Sequence, residues 1–172
     1  MANSATIKIN ATVLPDAIAK SINNMSVSYQ PADATEGWYY QLSKIDATSR
    51  DLISDAFFLQ QGNTTASAAT ATGSSPVSIT AANDKIKFLL IRNKALEYDG
   101  TSNTTDSVYL TLDAGAAAHN AVDAIEIGPG ECWFGKINAP VTSVHVICGQ
   151  KDKAAVSSKT LQAEVYAIID DI

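Results

Sequence analysis

Between Leu161 and Ile169 an apolar residue stands at every second position: Leu161, Ala163, Val165, Ala167 and Ile169. That period of two predicts a strand with one face in a core. The same alternation runs from Gly37 to Ile45, with Trp38, Tyr40 and Leu42 on one face and Tyr39, Gln41 and Ser43 on the other. Shorter extended segments are expected at Ile7–Ile9, Thr12–Leu14, Val27–Tyr29, Val77–Ile79, Val108–Leu112, Ile125–Ile127, Cys132–Ile137 and Val144–Cys148. Ile86–Ile91 is apolar on both faces through Phe88, Leu89, Leu90 and Ile91, which predicts a strand with neighbours on both sides. Strands at this spacing, parted by Gly, Asn, Asp and Ser, predict an all-β fold: a single antiparallel β-sandwich, jelly-roll-like, over residues 1–172.

Two interruptions stand out. Gly128-Pro129-Gly130 separates Ile125–Ile127 from Cys132–Ile137. Proline presets the second residue of a type II turn, and glycine accepts the positive φ of the third. Such a turn splays its flanking strands, so a corner between sheets is expected here rather than a tight hairpin. The other interruption is a change of period. Leu52, Ile53, Ala56 and Phe57 recur at helical spacing behind Asp46 or Thr48 as a cap, predicting one short helix over about Ala47–Leu59. A single helical turn at Asp16–Ile22 is a weaker expectation. Gln61–Pro76 has no period and little bulk, which predicts an exposed loop.

The chain has 172 residues, enough to bury a core without a disulfide or metal. Its formal net charge is -6 and no cluster of Lys or Arg occurs, which argues against direct binding of nucleic-acid phosphates. Charged residues make up 17% of the chain, below the roughly 25% usual in soluble domains, so its polar surface is mostly uncharged and cheap to desolvate. The opening residues lack the basic and apolar regions of a signal peptide, and no apolar run approaches a membrane span. Synthesis in a cytoplasm is therefore expected, with no membrane partner. On that reading the Asn-x-Ser/Thr matches at Asn10, Asn24, Asn63 and Asn103 are chance products of a Ser- and Thr-rich chain.

Candidate chemistry is sparse, and catalytic, cofactor-binding and metal residues are all expected to be none. His145, between Val144 and Val146, reads as a partly buried, hydrogen-bonded strand residue. His119 has Asp123 four residues on, and two ligands do not make a zinc site. Asp51 and Asp55 lie one turn apart on the polar side of the expected helix and read as a solvated face. Asp99, Asn103 and Asp106 share a loop whose spacing does not match a calcium loop. Cys132 and Cys148 read as buried thiols in apolar strands rather than a bridge. Trp38, Tyr39, Tyr40, Trp133 and Phe134 could form a sugar-stacking platform, but alternation favours packing for at least half of them.

Asp106–Gly115, Ile125–Ile137 with its Gly128-Pro-Gly-Glu131 corner, and the valine-rich Val144–Cys148 together resemble small virion structural proteins of tailed bacteriophages. The resemblance is one of texture and covers the C-terminal two-thirds. It implies a non-enzymatic protein of the virion, made in the host cytoplasm and partnered by the major capsid protein or other virion proteins. Capsid decoration (cement) is the leading role; a tail component and a carbohydrate-binding module are the alternatives. A homo-oligomer is implied, with a trimer as one arrangement. In that role the extended N-terminal arm and the 61–76 loop would touch neighbouring subunits, through Ile7, Ile9, Val13, Thr64, Thr65, Thr70 and Thr72.

Overall fold

The computed structural model describes residues 5–12, 21–29, 36–53, 58–59, 84–112, 121–155 and 157–170. Among them the chain is all-β. Its strands are β1 (Ala5–Thr12), β2 (Ser21–Tyr29), β3 (Glu36–Ile45), β4 (Arg50–Asp51), β5 (Phe58–Leu59), β6 (Lys85–Glu97), β7 (Ser107–Thr111), β8 (Ile125–Ile127), β9 (Cys132–Pro140), β10 (His145–Gly149) and β11 (Leu161–Asp170). Every ladder is antiparallel. They form a two-stranded sheet β1-β2, a four-stranded sheet β4-β10-β7-β8 and a five-stranded sheet β5-β3-β11-β6-β9.

The alternation read from the sequence fixes which faces meet. Leu161, Ala163, Val165, Ala167 and Ile169 of β11 all enter one core, beside Ile86, Leu89 and Ile91 of β6. The four-stranded sheet sends Val108 and Leu110 of β7, Ile127 of β8, and Val146 and Cys148 of β10 into that same core. Each large aliphatic side chain withdrawn from water this way stabilises the fold by about 1.5–3 kcal/mol. β6 has a neighbour on each side, as its two apolar faces require. Between Ile86 and Phe88 its register slips against both β11 and β9, so Ile86 faces the core while Phe88 faces outward.

The outer face of the five-stranded sheet carries a second, smaller cluster. Phe88 and Ile168 are buried there, with Leu90 and with Ile7 of β1 and Tyr29 of β2 packed against them. The N-terminal segment is thus paired with β2 and laid on this face through those two side chains. In β3 the aromatic side is likewise the outer one: Tyr40 stands opposite Tyr166, while Ser43 and Ile45 turn inward opposite Ala163 and Leu161.

The Pro-Gly corner forms as its residues dictate. Glu131 N donates to Gly128 O at 3.0 Å, closing a four-residue turn, and Gly130 at its third position has φ 79°. β8 before the turn belongs to the four-stranded sheet and β9 after it to the five-stranded one.

The helix expected over Ala47–Leu59 is not formed among the described residues of that span, 47–53 and 58–59. Asp46 accepts a bond from Thr48 N at 2.9 Å, but this closes a local turn rather than capping a helix. Arg50 and Asp51 then pair with Val146 and His145 of β10, and Phe58 and Leu59 pair with Ser43 and Leu42 of β3. The physical reason is tertiary. The chain must cross from one large sheet to the other here, and Leu52 and Ile53, each 1% exposed, reach the core from an extended path. A segment rich in Ser, Thr, Asp and Phe has little intrinsic helix propensity to set against that. The turn expected at Asp16–Ile22 fails at its described end, since Ser21 and Ile22 belong to β2. The strand expected at Val77–Ile79, the 61–76 loop and Asp55 lie outside the described residues.

Candidate functional site

One buried polar side chain joins the two large sheets. Asn93 of β6 is 0% exposed. Its Nδ2 donates to Asp106 O (3.0 Å) and Ile127 O (3.2 Å), and its Oδ1 accepts from Ala95 N (2.9 Å). Its backbone holds the corner too: Asn93 N donates to Glu131 O and Asn93 O accepts from Gly130 N. One residue therefore serves β6, the approach to β7 and the end of β8 through its side chain, and the turn through its backbone. Asn93 lies in a run, Arg92-Asn93-Lys94, that reads as a solvated strand end, and no sequence signal marked it.

On the outer face of the four-stranded sheet, Tyr109 is 0% exposed and packs with Ala124 and Ile147. Its hydroxyl donates to Gln150 O at 2.5 Å and accepts from Lys153 N at 2.8 Å. Burial pushes this phenol above its usual range. Glu126 beside it accepts from Ser107 Oγ (2.7 Å) and Asp152 N (2.9 Å). Burial alone would raise the Glu126 carboxyl, but those two bonds, with the charge of Lys151, hold it below the ordinary value. Asp152 and Lys153 take φ of 60° and 59°, a costly conformation for side-chain-bearing residues, and these bonds hold it.

The described candidate residues His145, Asp51, Asp99 and Asp106 are bonded within the chain. His145 Nε2 lies 3.0 Å from Asp51 Oδ1, with 12% of the imidazole exposed, so it is the partly buried, bonded residue expected. Asp51 is not on a solvated helix face: it stands opposite His145 in the β4-β10 ladder. Asp99 accepts from Ser102 Oγ (2.5 Å), Ser102 N (2.8 Å) and Thr101 N (2.8 Å), which hold its carboxyl down to about 2. Asp106 accepts from Ser157 Oγ. With Asp99 folded onto its own turn and Asp106 bonded to Ser157, the 99–106 loop does not converge on a cation. Among the described residues no group of three His, Cys, Asp or Glu is placed to hold a metal. His119 lies outside them.

A polar cleft of about 270 Å³ opens beside Asp106, walled by Glu97, Asn103, Thr105, Gln150 and Lys159. Lys159 Nζ donates to Glu97 Oε1 at 2.7 Å across it.

Both cysteines are free thiols, but only Cys148 is buried. Burial pushes it up to about 11, and its Sγ donates to Lys159 O at 3.1 Å. Cys132 is exposed, against expectation, because β9 is the last strand of its sheet and Cys132 starts it on the outer side. Of the aromatic residues, Trp133 packs against the main core. Tyr40 and Phe134 are half-buried on the outer face, and the rings of Tyr40 and Tyr166 lie 4.7 Å apart. Phe134, Leu90, Tyr166 and Tyr40 are successive cross-strand partners, forming a row across four strands. The Trp38 and Tyr39 side chains are not among those described.

Of the residues expected at subunit contacts, Ile7 is half-buried against Phe88 and Ile168, and Ile9 stands opposite Met25 in the β1-β2 ladder. Val13, Thr64, Thr65, Thr70 and Thr72 lie outside the described residues. No family model matches the chain, and comparison with curated proteins and with solved structures gives no match.

Proposed function

We propose that this is a non-enzymatic structural protein of a virion, acting as a decoration protein that bridges capsid subunits, and that its two large sheets are the layers of one jelly-roll-like β-sandwich. The observation that carries the reading is the use to which polar groups are put. His145 with Asp51, Glu126 with Ser107 and Asp152, Asp106 with Ser157, and Asn93 with four backbone segments all bond protein to protein. Such bonds stiffen a body; they do not converge on a reacting atom. The shared core and the β8–β9 corner support the sandwich.

Bridging suits a low-charge surface, because a lattice multiplies contacts that are individually modest. The test is cryo-electron microscopy of intact particles. Ordered copies on the capsid lattice support the reading; copies on tails alone move the protein to the tail; absence from the particle removes both.

A second reading rests on the Tyr40–Tyr166–Leu90–Phe134 row. Half-buried aromatic rings beside Arg92 and Glu164 suit stacking against a sugar face with polar groups at its rim. A glycan array without a saturable hit would remove it.

A further inference from the structure

We infer that β9 is a self-pairing edge: two copies of this chain join their five-stranded sheets by antiparallel pairing of Cys132–Lys136 about a two-fold axis at Phe134.

Among the described residues β9 is paired on one side only, to β6. From Arg92 opposite Cys132 to Phe88 opposite Lys136 the register is unbroken. The direction of the free backbone groups follows from one bond. Asn93 N donates to Glu131 O, so in the antiparallel alternation the Glu131 C=O and the N–H and C=O of Trp133 and Gly135 turn toward β6. Cys132, Phe134 and Lys136 then turn theirs to the side on which no described strand lies. An unpaired row of this kind is a template for another strand.

The usual devices that blunt an edge are gathered beyond this stretch. The bulge opposite β6 lies between Lys136 and Ala139, and Pro140 ends the strand. They confine pairing to Cys132–Lys136.

A second copy fits better than an arbitrary strand because the register about Phe134 is complementary to itself. The two Phe134 residues form a hydrogen-bonded pair, and each Cys132 forms another with Lys136 of the other copy, each pair exchanging two N–H···O bonds. Side by side on the outer face, the two Phe134 rings continue the Tyr40–Tyr166–Leu90 row from one sheet into the next. Trp133 faces Gly135 of the other copy. The space above this glycine is already indole-filled within one chain: a Cβ there would meet Trp133 Cη2 at 3.3 Å. The two Lys136 ammonium groups, the only charges on β9, stay about 13 Å apart along the strands at roughly 3.3 Å per residue. At the other end of the sheet β5 pairs with Leu42 and Ser43 of β3, which interrupts that edge within the strand.

Five paired residues bury less than the roughly 1,200 Å² at the lower end of stable complexes, so the isolated protein should dimerise weakly and a lattice would strengthen it. Cross-linking reads such a contact. In a Cys132→Ser background, Phe134→Cys should form an interchain disulfide under mild oxidation, because directly opposed Cα atoms about 5.5 Å apart suit the bond. Asn138→Cys in the same background should not, its two copies lying roughly 26 Å apart. Buried Cys148 stays silent in both.

Phe134→Pro removes the central outward N–H without touching the ladder to β6, and sedimentation velocity should find it monomeric at concentrations where the native protein self-associates. Equal cross-linking at 134 and 138, no cross-linking at 134, or a dimer that survives Phe134→Pro would each overturn the pairing. These experiments use the purified chain and are independent of its place in a virion.

Discussion

The two faces of the five-stranded sheet are built from the same strands and differ in kind. The inner face is aliphatic and closed: Ile86, Leu89, Ile91, Val165 and Ala167 are each 0% exposed. The outer face mixes Phe88 and Ile168, covered by Ile7 and Tyr29, with half-open rings and with ion pairs of Lys87 to Asp170 and of Arg92 and Lys94 to Glu164. Volume lost inside leaves a cavity, whereas volume lost outside is refilled by water or by a neighbour. The inner face therefore carries more of the stability than the outer one.

The sharpest way to break this contrast is at the point where the two large sheets are tied. Asn93→Leu keeps the volume but leaves Asp106 O, Ile127 O and Ala95 N without their partner. Stability in urea should fall by about 3 kcal/mol or more; a loss below about 1 kcal/mol would show that water replaces the amide. Neighbouring residues on opposite faces give the direct comparison. Ile91→Ala should cost about 2–5 kcal/mol, and Leu90→Ala about 1 kcal/mol, with equal losses showing that the outer face is covered as completely as the inner.

Next is the corner. Gly130 has nothing within 4 Å of where a Cβ would stand, so Gly130→Ala isolates the backbone term of its φ of 79° and should cost about 1–2 kcal/mol by thermal unfolding.

The exposed 97–102 turn should respond least. Asp99 is held down to about 2 by Ser102 and Thr101, so its bonds contribute stability above the ordinary aspartate pKa, lost as pH falls through about 2. Asp99→Asn should flatten that part of the acid profile, and a carboxyl that titrates at the ordinary value by NMR would contradict the bonding.

How far the fold was legible depends on where the deciding forces lie. The inward set of β11, the two-sided burial of β6 and the Gly128–Gly130 corner were readable because each follows from a local rule: a period of two, an apolar run, the φ demands of proline and glycine. The absent helix was misread for the same reason. Leu52, Ile53, Ala56 and Phe57 satisfy a helical spacing, and nothing local says that β10 will offer Arg50 and Asp51 an edge to pair with. Sites behaved likewise. His145 was legible as a bonded strand residue, but its partner Asp51 lies 94 positions away and was placed on a different element. Cys132 was assigned to the interior because an apolar strand does not announce that it will stand at an edge.

The sequence by itself therefore determined the β class, the strand faces and the turn, all properties of a few consecutive residues. Which strands became neighbours, which became edges, that Asn93 would be sealed between two sheets, and that Ile7 and Tyr29 would cover Phe88 and Ile168 were decided only in three dimensions. Those outcomes depend on pairing energies between segments far apart in the chain, and no local pattern encodes the partner.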